Sequence, residues 1–173
     1  REARRAQVVE YFEDRATTLT LLGGLHGTEE ALALLAAWEA EHPLPSDGPF
    51  RPDSEEYAQL LAHIDELFAP FVATQEFHDI FLVDLDHGHV MYSSAKESDL
   101  GANRSAGPRR ATGLATAWRD ARESRELTLT DLAWYEPSRE DSLFLALPAA
   151  DDAGIMRAIV VVQVGADELN SIM

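Results

Sequence analysis

The spacing of apolar residues changes period once along the chain. In the first part they recur every three to four positions: Val8, Phe12, Leu19 and Leu22, with Val9, Tyr11 and Ala16 alongside. That is the stripe of an amphipathic helix. Gly23-Gly24 stops it. Thr28 reads as the N-cap of a second helix, with Glu29 and Glu30 favouring its dipole and Leu32, Leu35 and Ala36 on its apolar face. Residues 42–49, rich in proline, read as a loop. A third helix over 54–72 shows Tyr57, Leu60, Leu61, Ile64, Leu67, Phe68 and Phe71 at helical spacing. Asp53 with Glu56 resembles a capping box, and Pro70 is expected to end or kink the last turn.

Short β-rich runs follow. Ile80–Val83 and Val90–Tyr92 flank the turn signal Asp86-His87-Gly88, so residues 79–93 predict a β-hairpin. Residues 93–109 read as a loop, and Leu114, Ala115, Trp118 and Ala121 mark a fourth helix. Strands are predicted over 127–130, 143–147 and 156–164, with a long turn from Trp134 to Asp141 and helix again from Ala166. The run Ile159–Val162 is apolar at every position, as suits a central strand. The expected class is α+β: a helical N-terminal part over 1–75, then over 76–173 a five-stranded antiparallel, PAS-like sheet with one covering helix and a C-terminal helix.

Composition narrows the function. The 173 residues carry 14 Lys+Arg against 31 Asp+Glu, a formal charge of −17, which argues against nucleic acid and against docking on anionic lipid. There is no cysteine, which excludes disulfides and thiolate chemistry, and Lys96 is the sole lysine. No apolar run approaches a membrane span, and the chain starts at Arg1 and stops at Met173 in a helical pattern, so it reads as a piece of a longer protein.

Candidate chemistry is sparse. No Gly-x-Ser-x-Gly, phosphate-cradling loop or His-Glu-x-x-His is present, so no catalytic residue and no cofactor are predicted. Asp84, Asp86, His87 and His89 form a group with metal-ligand chemistry. The alternative is a hairpin turn with Asp84 facing His89, and the spacing favours it because no bidentate Glu follows. A small-ligand site wants an apolar box with a few convergent polar groups. The residues flanking such a box are Tyr92, Lys96, Trp118, Asp131, Trp134 and Tyr135. Lys96 suits a carboxylate and Asp131 a cation. Each has a plainer reading: Trp118 as core, Asp131 as a turn cap, Lys96 as a solvated charge.

Five segments in order resemble a family of bacterial extracytoplasmic sensor domains. His78–Asp84 is similar to that family's "YDLFLID" opening. Val90–Ser93 followed by Lys96-Glu97-Ser98-Asp99-Leu100-Gly101 resembles its "V-Y-T-V-x-K-E-x-D-F-G" segment. Gly113-Leu114-Ala115 with Trp118-Arg119 resembles its covering helix. Thr130-Asp131-Leu132 with Tyr135, Pro137 and Ser138 resembles "T-D-F-x-x-Y-x-P-S", and Leu169–Met173 its "I-N-x-I-M" ending. The chain departs from the pattern at His87 and His89, and at Leu100 and Leu132, where the family tends to have Phe. The family is the Cache type, PAS-like in fold, found in chemotaxis receptors, sensor histidine kinases and nucleotide cyclases. The resemblance implies a non-catalytic small-molecule sensor and homodimerisation along the N-terminal helix. It also implies flanking membrane helices outside this chain and a periplasmic or extracellular location. Two other readings remain: the same domain without a ligand, as a dimerisation or environment-sensing module, and a stand-alone acidic enzyme.

Overall fold

Three helices lead the chain in the computed structural model, which describes residues 2–73, 77–105 and 111–172. The 75/76 boundary, the Gly107-Pro108 part of the expected loop and Met173 lie outside the described residues. Helix α1 spans Glu2–Gly23, α2 His26–Glu41 and α3 Glu55–Val72. Two caps differ from expectation. Helix α2 starts two residues before Thr28, which is buried and donates its hydroxyl to the Leu22 carbonyl at 2.6 Å. Thr28 thus closes the end of α1 rather than opening α2, satisfying a terminal carbonyl that has no helical partner. Ser54, not Asp53, caps α3: its Oγ accepts the Tyr57 amide at 3.1 Å. Helix α3 also runs through Pro70 to Val72.

The rest is an antiparallel sheet with one inserted helix. The strands are β1 Asp79–Asp84, β2 Val90–Ser93, β3 Thr128–Leu129, β4 Ala133–Tyr135, β5 Glu140–Ala150 and β6 Met156–Gly165. Helix α4, Gly113–Ser124, separates β2 from β3, and the short α5 is Ala166–Asn170. The order across the sheet is β2-β1-β6-β5-β3, with β4 also on β5. Apolar β6 is therefore central, as expected. The sixth strand is a correction. Trp134–Asp141 is a β-hairpin rather than a long turn, with Ala133, Trp134 and Tyr135 paired to Ser142, Asp141 and Glu140. Ala133 and Trp134 are exposed, so the strand shows no apolar alternation and is held by its backbone ladder.

Alternation assigns the two faces of the sheet. Ile80 and Leu82, Leu143 and Leu145, and Val160, Val162 and Val164 point to one side. There they pack with Leu19, Leu22, Leu32, Tyr57, Ile64 and Phe68 of α1–α3. Phe81, Val83, Phe144, Ala146, Ile159 and Val161 point to the other side, under Leu114, Ala117, Trp118 and Ala121 of α4. At the start of α4 a Cβ on Gly113 would stand 3.0 Å from the Phe144 ring, so any larger residue requires that ring to shift by a few tenths of an ångström.

Candidate functional site

The α4 side of the sheet carries the buried charge. The segment after β2 folds back along that strand: Val90 N–H bonds Ala102 O at 3.0 Å, Gly101 N–H bonds Val90 O at 2.8 Å and Arg104 N–H bonds Gly88 O at 2.8 Å. This stitching drops the Arg104 side chain into the interior, fully buried. Its Nη2 donates to the Tyr135 hydroxyl at 2.9 Å and lies 3.8 Å from Asp99 Oδ2, while Nη1 donates to Thr112 Oγ1 at 3.4 Å. The Tyr135 hydroxyl in turn donates to Asp99 Oδ2 at 2.6 Å. Asp99 is also fully buried, and its Oδ1 has no hydrogen-bond partner among the described residues. Burial raises its pKa, opposed by the Tyr135 hydrogen bond and the Arg104 charge. Trp118, Phe81 and Phe144 complete the apolar surround.

A second polar group lies at the far end of this face. The buried Asp79 carboxylate accepts from Ser93 Oγ at 2.6 Å, Ser94 Oγ at 2.9 Å and Ala95 N–H at 3.0 Å. Burial still pushes its pKa up to about 6. Gln163 donates to Ser138 and Ser142 at 2.8 and 2.9 Å. His78 sits between Glu97, at 2.7 Å from Nε2, and Glu140, at 3.0 Å from Nδ1. Burial works against its protonation, but the Glu97 hydrogen bond and the surrounding carboxylates outweigh it and raise the pKa.

The six residues singled out from the sequence separate into three places. Trp118 and Tyr135 come together on this face, and the Trp118 indole donates to the Asp84 carbonyl at 2.9 Å. Tyr92 and Lys96 turn to α3. The Tyr92 hydroxyl donates to Asp65 at 2.7 Å and its ring packs edge-on to Phe68. Lys96, in the left-handed region at φ 52, places Nζ 2.6 Å from the Asp65 carboxylate. Asp131 is exposed. Trp134 is 59% exposed, its indole on Glu136 at 2.9 Å. Arg104 and Asp99 were not anticipated as site residues. Asp99 lies in the family-like Lys96–Gly101 run, but nothing local in the sequence marks either as buried.

The acidic hairpin is built as a turn. Asp84 accepts the amides of Asp86 at 2.9 Å, His87 at 2.8 Å and His89, and His89 Nδ1 at 3.0 Å. His89 Nε2 faces the Gly48 carbonyl at 2.8 Å. Both ring nitrogens thus face acceptors, a setting for the imidazolium. Burial disfavours that charge, yet the Asp84 and Gly48 hydrogen bonds prevail and raise the His89 pKa. Asp84 is lowered correspondingly: burial would raise it, but the hydrogen bonds from His89 and the turn amides win. Among the described residues no three His, Asp or Glu side chains group as a metal site.

No protein-family model matches the chain, and no curated protein matches it. Solved structures do match. The sensor domain of the V. cholerae histidine kinase DctB aligns with 99% of this chain at TM-score 0.65 and 13% identity. The ligand-binding domain of the Campylobacter jejuni chemoreceptor Tlp3, in complex with L-norvaline, aligns with 99% at TM-score 0.56 and 12% identity. An extracellular ligand binding receptor from Desulfohalobium retbaense aligns with 96% at TM-score 0.51 and 15% identity. The chain spans 55%, 57% and 26% of those three chains, respectively. At these identities the likeness is one of fold: the α+β arrangement of leading helices and antiparallel sheet expected from the sequence is shared with these sensor and ligand-binding domains. Among the described residues no helix is long and apolar enough to cross a membrane.

Proposed function

We propose that this chain is the extracytoplasmic sensing domain of a membrane-anchored bacterial signalling receptor, and that it binds a small molecule between the sheet and the 94–124 segment. The observation that carries this reading is the Arg104–Tyr135–Asp99 network buried under that segment, with one Asp99 oxygen unsatisfied among the described residues. Buried charge is costly unless paired, so an incompletely satisfied buried group calls for a cause, and a bound polar ligand supplies one. Arg104 and Asp99 offer one cation and one anion, so a zwitterion of amino-acid size is the first class to screen. The Tlp3 structure, a fold neighbour, holds such a ligand. Any catalytic output would lie outside this chain. Homodimerisation would use α1, whose Val9 and Leu21 leave apolar surface exposed. Signalling would be a displacement of the terminal helices, and a ligand can drive it only by its differential affinity for the two states.

A second reading has its own observation. Trp118, Tyr135, Phe144 and Arg104 are all packed to near-zero exposure, as in a domain that serves for dimerisation or reads its ionic surroundings without a ligand. A thermal-shift screen of amino acids and small organic acids separates the two. The sensor reading predicts a saturable stabilisation of the wild type that Asp99→Asn and Trp118→Phe lose. Lys96→Ala and Asp131→Ala run alongside: loss in these but not in Asp99→Asn relocates the site to the exposed charges. A wild type that no small molecule stabilises favours the ligand-free reading.

A further inference from the structure

The helix side of the sheet holds a cavity that the function above does not use. It has a volume of about 410 Å3 and lies between α2 and the adjoining ends of β1 and β6. That volume is within the range of small-molecule sites. Its floor is apolar: Leu32, Leu35 and Ala36 from α2, Leu82 from β1 and Ala158 from β6. Its charges are Glu39, Asp84, Asp86 and Arg157.

Two of those four charges are already neutralised. Arg157 places Nε 2.8 Å from the Asp151 carboxylate, and Asp84 is paired with His89. Among the described residues Glu39 and Asp86 form no ion pair; His89 and His87 act on Glu39 only through their more distant charge. Glu39 is half-buried, and its pKa is raised by burial first and then by the negative charges of Asp84 and Asp86, which outweigh the opposing charges of His89 and His87. A carboxylate at the mouth of an apolar cavity, beside like charge, gains most from a cation that brings its own apolar body.

We propose that this cavity is a second binding site, for a small amphiphilic cation: an aliphatic ammonium whose alkyl chain lies on Leu32, Leu35 and Leu82 and whose head meets Glu39 and Asp86. It is separate from the sensing site, because the sheet stands between them. It stands whether or not a ligand binds under α4.

The test titrates the 173-residue chain with n-hexylammonium at constant ionic strength, following melting temperature and binding heat. Neutral 1-hexanol, sodium hexanoate and ammonium chloride serve as comparison probes. The expected result is saturable binding of hexylammonium alone. Glu39→Gln should weaken it by roughly tenfold or more, the scale for losing a desolvated charge contact. Ala40→Trp, an exposed change at the cavity rim, should block it while the protein stays folded, and Asp99→Asn should leave it intact. Three outcomes overturn the proposal: no binding of hexylammonium, equal stabilisation by ammonium chloride through general screening of the negative chain, or unchanged binding in both Glu39→Gln and Ala40→Trp.

Discussion

The two faces of the sheet are made from the same strands and behave as opposites. Along β1, Ile80 and Leu82 meet the helices, while Asp79, Phe81 and Val83 meet the other side. Along β5 and β6, Leu143, Leu145, Val160 and Val162 face α1–α3, while Ser142, Phe144, Val161 and Gln163 face away. The helix face is mainly apolar packing, interrupted by the cavity beside α2; its polar atoms, such as Tyr92 Oη and Thr28 Oγ1, are hydrogen-bonded. The α4 face buries Arg104, Asp99, Asp79 and Gln163 at no exposure. One face is chiefly apolar packing and the other holds fully buried charge, and a two-residue period is enough to keep them apart.

The largest expected effect comes from breaking the charge network. Arg104→Met leaves Asp99 buried without its cation and should cost about 3–5 kcal/mol in denaturant unfolding. Asp99→Leu in the same chain should recover much of that loss, since an apolar replacement of both partners is often neutral or better. If the double variant is worse than the single, Asp99 is stabilised by something other than Arg104 and Tyr135.

Next in size is Asp79. Burial holds its pKa at about 6 in the fold, against 3.8 for the unperturbed carboxyl. The folded state therefore binds the proton more tightly, so stability from this group is full below pH 3.8 and is lost as pH rises through 6. The loss is about 3 kcal/mol by pH 7. His78, also raised, adds a decline above its unfolded value of 6.5. The melting temperature should fall from pH 5 to pH 8, and Asp79→Asn should flatten the acid limb of that slope. An unchanged slope in Asp79→Asn assigns it elsewhere.

On the helix face, Ile64→Val removes one methyl group from a fully buried side chain. It should cost about 1 kcal/mol, with no change in the pH profile. The smallest effect is expected for Lys96→Ala. Its pair with Asp65 is 40% exposed at both partners and should contribute about 0–1 kcal/mol, declining with salt.

The helix face was the legible one. Its helices and central strand announce themselves by period, because burial of an apolar stripe leaves a pattern in the residues themselves. What escaped was set by contacts distant in sequence. Strand β4 exists because Ala133–Tyr135 finds Glu140–Ser142, not because of its own residues. Thr28 has the right chemistry for an N-cap, but the turn between α1 and α2 brings it to Leu22 instead. Lys96 looked like a pocket cation and meets Asp65, 31 residues earlier, on α3. Trp118 and Tyr135 were read as flanking a pocket, with core as the plainer reading of Trp118, and both are buried on the α4 face. The charged pair between them was not, because Arg104 in a polar loop looks solvated until the loop is seen folded along β2.

The central claim is that the α4 face senses and the helix face supports. Amide hydrogen exchange of the wild type tests it most directly, using a stabilising amino acid or organic acid found in the screen. The account predicts protection gained in residues 94–105 and 113–124, with α1–α3 unchanged except at their ends. Protection confined to α2 and the β1–β6 edge, with 94–124 unaffected, would contradict it.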